Sequence, residues 1–104
     1  MEELTIVTDL YANGRIGIRL LQDDGQQYDV LTINIVAVEL EDDQVTIPVW
    51  KLSESLVAYF LHSGLFVETG LGADLGYVVA PIWRVVCPKI LGRAAELRKA
   101  SADR

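Results

Sequence analysis

The sequence has few of the side chains that enzymes use most for chemistry. It holds a single histidine, His62, and a single cysteine, Cys87. One cysteine excludes an internal disulfide, and it is typical of a protein from a reducing compartment, so we expect a cytoplasmic location. A transition-metal centre would need more His and Cys ligands than these. The sequence therefore predicts no metal site, and it predicts no catalytic residues.

Long hydrophobic runs are also missing. The longest apolar stretch, about residues 77–83, is far shorter than the roughly 20 residues of a membrane-spanning helix. The first residues, Met-Glu-Glu, are acidic where a targeting segment would be basic, so we expect no leader and no membrane partner. With 104 residues, of which 51% are hydrophobic, the composition predicts one globular domain over residues 1–104.

Positive charge is scarce over most of the chain. Residues 1–83 carry thirteen Asp and Glu against three Lys and Arg, whereas residues 84–104 carry two against six. An acidic body disfavours contact with nucleic-acid phosphates and favours a basic surface. The composition therefore indicates a basic protein or ribonucleoprotein as partner, without direct contact to nucleic acid.

The first third of the chain has the pattern of a β-meander. Turn signals at residues 13–14 and 24–25 separate strand-like segments at residues 4–11, 15–21 and 28–37. We expect a three-residue loop with a left-handed glycine at the first turn and a tight turn at the second, because these place apolar residues on one face. The predicted cross-strand pairs are Leu10 with Ile16, Ile6 with Leu20, Ile18 with Leu31, and Ile16 with Ile33.

A capped helix is predicted over residues 53–63. Ser53 suits the N-cap, and Gly64 suits the left-handed position that ends a helix. Before it, residues 45–47 predict a short strand that Pro48 ends or confines to an edge. The residues expected on the apolar side of the helix are Leu56, Tyr59, Phe60 and Leu61.

The last third predicts a short strand at residues 65–69, a long strand at 76–87 and a C-terminal helix at 88–101 that Pro88 opens. Gly70, Gly72 and Gly76 predict a mobile surface loop between the two strands. Their spacing departs from that of a dinucleotide-binding loop, and a strand follows instead of a helix, so no cofactor is expected. Pro81 predicts a bulge or an edge.

These elements predict an α+β fold. An antiparallel sheet of about five strands begins with a three-stranded meander in residues 1–37, one helix packs on a face of the sheet, and a second helix ends the chain.

The acidic connection at residues 39–43 is the main candidate for a binding site. It lacks the ligand spacing and the central glycine of a calcium-binding loop. Two interpretations stay open: an ordinary solvated loop, or a docking surface that presents carboxylates to Arg and Lys of a partner. The candidate partner-binding residues are Glu39, Glu41, Asp42, Asp43, Asp23, Asp24 and Trp50.

Other conspicuous residues have simpler structural roles. Trp50, Trp83 and Tyr77 suit interface anchors, although core packing is favoured for all three. His62 fits the end of the predicted helix, and Cys87 fits the core. The basic C-terminal segment either docks on the acidic body of its own chain or forms a homodimer through opposite charges.

Four short motifs occur in order: LTINI at residues 31–35, LHSGL at 61–65, ETG at 68–70 and YVVAPIWR at 77–84. This order resembles small proteins of unknown function that phages, conjugative elements and other mobile DNA carry. Those proteins have an LT-x-N strand, a helix ending near N-G-L, then x-T-G and a strand like YPLYRF. The chain departs from that pattern at Ser63, at Ala80 and in the segment before the helix, and no functional residues are carried over.

The resemblance implies a function in the bacterial host cell. Compact acidic proteins on mobile DNA often block host machinery such as CRISPR–Cas effectors, which have positively charged nucleic-acid grooves. We therefore expect a non-enzymatic inhibitor of a host nucleic-acid-targeting defence complex, of the anti-CRISPR type. The alternative is an accessory structural or regulatory subunit of a mobile element that acts through self-association.

Overall fold

The computed structural model describes residues 4–102, which form an α+β fold with two antiparallel sheets and two helices. The first sheet contains β1 (Thr5–Leu10), β2 (Ile16–Leu21) and β3 (Gln27–Val30) in the order β1-β2-β3. The second contains β4 (Gln44–Thr46), β5 (Phe66–Asp74) and β6 (Val79–Val85) in the order β4-β6-β5. The helices are α1 (Glu54–His62) and α2 (Pro88–Ala102). The predicted class is confirmed, whereas a single sheet of about five strands is not.

The first hairpin has the predicted register. Leu10 lies opposite Ile16 and Ile6 lies opposite Leu20. Beyond the strands the Tyr11 N–H donates to the Arg15 carbonyl at 2.8 Å, so the loop proper contains the three residues 12–14 and ends at Gly14, whose φ is +84°. A left-handed backbone favours glycine because it has no Cβ. The condition that apolar residues face each other thus predicted the correct loop length for this hairpin.

The second hairpin closes differently but reaches the predicted pairing. Its loop has three residues instead of the predicted tight turn, because the Gln22 N–H donates to the Gln26 carbonyl at 2.8 Å. A register shift at residues 20–21 compensates for the extra loop residue. The Leu31 N–H then donates to the Ile18 carbonyl at 2.9 Å, so these two residues are neighbours as predicted.

The third strand of the meander is shorter than predicted. The Thr32 hydroxyl accepts the Ile18 N–H at 3.1 Å, so a side chain replaces the backbone ladder where β3 ends. Ile33 does not pair with Ile16 but forms an isolated bridge with Thr46. The Ile33 N–H donates to the Thr46 carbonyl at 3.0 Å, and the Thr46 hydroxyl donates to the Ile33 carbonyl at 2.6 Å. This bridge joins the two sheets.

Helix α1 lies within the predicted segment and has the predicted caps. The Ser53 Oγ accepts the Leu56 N–H at 3.2 Å, and Gly64 has a φ of +80° after the last turn. Leu56 and Phe60 are buried, but Tyr59 is 56% exposed, which corrects its placement on the apolar side. Leu56 and Phe60 lie four residues apart and form a narrow ridge, and Tyr59 lies at the edge of that ridge.

The glycine-rich segment is part of a hairpin and is not the predicted loop. β5 continues through Gly70 and Gly72 and pairs with β6. Gly70 has a φ of +80°, and a Cβ on Gly72 would lie only 2.6 Å from Cγ1 of Val79. Gly70 therefore allows a left-handed backbone conformation, and Gly72 allows β5 and β6 to approach closely. Gly76, with a φ of +92°, is the one that lies in the turn between β5 and β6.

Strand β6 is shorter than the predicted strand at residues 76–87, and it is central in its sheet. Pro81 lies opposite Gly72, where the register of β5 shifts between Glu68 and Gly72. The predicted irregularity at Pro81 thus takes the form of a bulge in the neighbouring strand. Trp83 is 1% exposed and packs in the core, as predicted.

Helix α2 packs on the body of its own chain. Ile90 and Ala94 are 4% and 0% exposed and belong to the same core as Trp83, and the helix contacts β1. The Arg98 Nε donates to the Gly14 carbonyl at 3.0 Å. Of the two interpretations of the basic C-terminal segment, docking on its own body is the arrangement in this structure.

Candidate functional site

The acidic loop, defined as residues 39–43, lies in the connection between the two sheets, and arginines hold this connection by its backbone. Arg15 donates to the Ile35 carbonyl at 2.7 Å and also to the Val38 carbonyl. Arg98 donates to the Asp42 carbonyl at 2.8 Å. Because a guanidinium presents several N–H donors in a fixed plane, Arg15 can bind the carbonyls at both ends of the turn that the Val38 N–H closes on the Ile35 carbonyl at 3.1 Å. The connection is therefore held before the acidic loop, at residues 35–38, and within it, at Asp42.

A third arginine pairs with carboxylates of the acidic loop. Arg84 on β6 lies opposite the first residue of β4, and its Nη1 is 2.6 Å from Asp43 and 2.9 Å from Glu41. Hydrogen bonds to Asp43 and then to Glu41 raise the pKa of Arg84 above its ordinary value. The guanidinium thus stays charged at every pH at which proteins are handled. Two of the predicted docking carboxylates are neutralised within the chain.

The other predicted carboxylates are exposed and lie in two separate places. Glu39 and Asp42 form no ion pair within residues 4–102. Asp23 and Asp24 lie in the loop between β2 and β3, likewise without an ion pair to any residue from 4 to 102. This loop is at the far end of β2 from the β1–β2 loop, which contacts the connection between the sheets. The structure therefore does not bring the predicted site residues into one patch.

The aromatic candidates differ in exposure. Trp50 is 36% exposed and lies in the turn that the Lys51 N–H closes on the Pro48 carbonyl at 2.9 Å, so it is available as a contact. Tyr77 is 84% exposed at the tip of the β5–β6 hairpin, which corrects its assignment to the core.

The remaining conspicuous residues of the sequence are His62 and Cys87. His62 is exposed at the end of α1, and Cys87 is partly buried against the core. Within residues 4–102, no three His, Cys, Asp or Glu side chains are grouped so that they would hold a metal ion. Neither helix of this range is long and apolar enough to cross a membrane.

A groove that the sequence did not predict lies between the first sheet and α1. We call it the α1 groove. Its volume is about 860 Å³, within the range of about 300–1,000 Å³ typical of ligand sites. Residues 4–6 and Tyr28 line it from the first sheet, and α1 with its cap residue Ser53 lines it from the helix side. The lining residues include Ile6, Tyr28, Leu56, Tyr59, Phe60 and Leu65.

The two tyrosines of the α1 groove could not be placed from the sequence pattern. Tyr28 precedes Asp29, which pairs with Leu20, and it falls at the register shift of the second hairpin, which the pattern did not reveal. Tyr59 was assigned to the core side of α1. The available signal was its position one residue before Phe60, which puts it at the edge of the buried face.

Comparison with protein-family models, curated proteins and solved structures gives no match to this chain.

Proposed function

We propose that this protein is a non-enzymatic binding protein that blocks a positively charged surface of a host nucleic-acid-targeting defence complex, such as a CRISPR–Cas effector. It would be a product of a phage or another mobile element and act in the cytoplasm of the bacterial host. The resemblance of its motifs to proteins carried by mobile DNA supports this source. The charge distribution on the folded surface supports the mode of action.

One observation carries the proposal. Residues 20–50 contain seven Asp and Glu and no Lys or Arg, and none of these carboxylates is on a buried residue. Arg84 pairs with two of them, while the other five form no ion pair within residues 4–102. Carboxylates on a fixed backbone can take the positions that phosphates would take in a basic groove. The five unpaired carboxylates are therefore the candidate contacts.

The arginines that hold the acidic loop contribute to this function by ordering it before binding. Arg98 binds the Asp42 carbonyl and Arg84 binds the Asp43 carboxylate, while Arg15 holds the turn at residues 35–38 that leads into the loop. A loop that is already ordered loses less conformational entropy when a partner binds, so more of the interaction energy appears as affinity. Glu39 and Asp42 are thus presented from a rigid support.

The experiment is a competition between the protein and target DNA for purified CRISPR–Cas effectors, repeated at two salt concentrations. The test variant is Glu39→Lys/Asp42→Lys. The matched control is Glu68→Lys/Glu96→Lys, which changes the net charge equally at two other exposed residues. We expect the wild type and the control to displace DNA with similar affinity, and the test variant to bind more weakly with a smaller salt dependence.

Two results would contradict the proposal. Equal losses in the test and control variants would show that only net charge matters and not the position of the carboxylates. Failure of the wild type to displace DNA from every effector tested would remove this class of target.

An accessory role through self-association, including a homodimer through α2, is the alternative. It is favoured by the exposed cations Lys89, Arg93 and Lys99 on α2, which are opposite in charge to the acidic body of a second copy. Light scattering of the wild type and of Arg93→Glu/Lys99→Glu tests it. We expect the variant to dissociate an oligomer if this alternative holds, and a monomeric wild type would exclude it.

A further inference from the structure

We propose that the α1 groove is a docking site for a basic segment of a protein partner, which inserts apolar side chains between Tyr28 and Tyr59. This proposal rests on the protein-binding function proposed above and adds a second contact area to it. The acidic loop contributes charge alone, whereas the α1 groove would contribute the apolar part of the interface.

The shape of the α1 groove suits an apolar anchor. Leu56 and Phe60 are 9% and 1% exposed and form part of its apolar wall, while Tyr28 and Tyr59 are 46% and 56% exposed and remain free for contact. The ring of Tyr59 packs edge-to-face on Phe60 with centroids 5.1 Å apart. Tyrosines supply a large contact area at a low entropic cost, and they are enriched among the residues that dominate binding energy.

The charge around the α1 groove determines the kind of partner. Among residues 4–102 no Lys or Arg lines it, and the sequence contains neither between Lys51 and Arg84. Asp29 lies on the same face of the sheet as Ile6 of the groove, since both pair with Leu20. The lining itself is uncharged, so the nearby carboxylates set the charge preference: they repel an acidic segment and favour an occupant that carries Lys or Arg beside its apolar side chains.

The groove also lies next to two residues of the predicted site. Thr5 and Leu21 are paired at the end of the sheet where the β2–β3 loop, with Asp23 and Asp24, begins. The exposed carboxylates of this loop are thus close to the α1 groove, whereas Glu39 and Asp42 belong to the other end of the sheet. The two acidic areas can therefore be tested separately.

The test uses a random peptide library displayed on phage and selected on the immobilised wild type. We expect enriched peptides to combine Lys or Arg with aromatic or aliphatic residues. A tenfold or greater loss of affinity is expected for Tyr59→Ser and for Tyr28→Ser. Tyr77→Ser is the matched control, because Tyr77 is an exposed tyrosine outside the groove, and its affinity should equal that of the wild type.

Several outcomes would overturn the groove assignment. They are failure to enrich any peptide, enrichment of acidic peptides, and equal binding to the wild type and Tyr59→Ser. Concentration-dependent dimerisation lost in Tyr59→Ser would overturn it as well, because a second copy would then be the occupant. Circular dichroism of each variant confirms that the fold is kept.

The failure of this proposal is distinguishable from failure of the proposed function. Peptide binding that depends on Tyr59, without displacement of DNA from any effector, would support the groove and refute the effector target. Displacement that depends on Glu39 and Asp42 but not on Tyr59 would support the effector target and refute the groove.

Discussion

The cap of α1 allows a sharp test of how this short helix is stabilised. The Ser53 Oγ accepts the Leu56 N–H at 3.2 Å, and the helix has only nine residues. Such a helix is not stable alone, so it depends on its cap and on the packing of Leu56 and Phe60. Ser53→Ala leaves the amide of Leu56 without this acceptor. Loss of an N-cap side chain costs about 1 kcal/mol, within a range of about 0.5–2 kcal/mol.

Urea and thermal unfolding, followed by circular dichroism, measure this loss. A free-energy change of about 1 kcal/mol lowers the Tm of a domain of this size by roughly 4–8 °C. Because Ser53 is exposed, water can reach the uncapped amide, and we expect the central value and not the upper limit. Ser53→Asp should retain most of the stability, since aspartate caps helices as well as serine does.

Ser55→Ala is the matched control for the cap. Its hydroxyl is exposed and lies 3.4 Å from the Ser53 Oγ, and it accepts no backbone N–H of residues 4–102. Alanine has the higher helix propensity, so this variant should match or slightly exceed the wild type in stability. A capping role for Ser53 is refuted if Ser55→Ala costs as much stability as Ser53→Ala, or if Ser53→Asp is as unstable as Ser53→Ala.

Three further predictions concern other parts of the fold. Gly92→Ala should raise the free energy of unfolding by up to about 1 kcal/mol in a urea titration, because a Cβ there meets nothing within 4 Å and α2 continues through it; a loss of stability would contradict this. Phe60→Ala should lower the free energy of unfolding by about 3–5 kcal/mol, because Phe60 is buried. Tyr59→Ala should lower it by much less, because Tyr59 is exposed. Similar losses in the two variants would contradict the placement of the two rings. Arg84→Gln should increase cleavage of the acidic loop by a Glu-specific protease, because Glu41 loses its ion pair; unchanged cleavage would show that the pair does not order the loop.

Local signals in the sequence were sufficient for α1 and for the first hairpin. Ser53 and Gly64 mark the ends of the helix by mechanisms that need only neighbouring residues. The pairing of Ile6 with Leu20 followed from a single condition, that apolar residues share one face of two adjacent strands. Both kinds of inference depend on contacts between residues close in the chain.

The remaining features depend on contacts between distant residues. Strand β4 pairs with β6, and Ile33 leaves the meander for Thr46, and neither is encoded by a local pattern. Arg84 neutralises Asp43 from 41 residues away in the chain, so this carboxylate of the predicted acidic site is no longer free for a partner. A signal for it was present: Arg84 is the first cation after Lys51, so it is a natural partner for the acidic residues that precede both.

Near the bridge between the sheets, two amide protons that lie two residues apart in the chain depend on different contacts for their protection. The Leu31 amide is protected by a bond to Ile18 inside the first sheet, whereas the Ile33 amide is protected by Thr46 of the other sheet. Native-state hydrogen exchange reads the local opening of each segment separately. If the sheets separate before either one unravels, Ile33 exchanges with deuterium while Leu31 is still protected. The exchange rates of these two amides therefore report whether the two sheets separate before the first sheet unfolds.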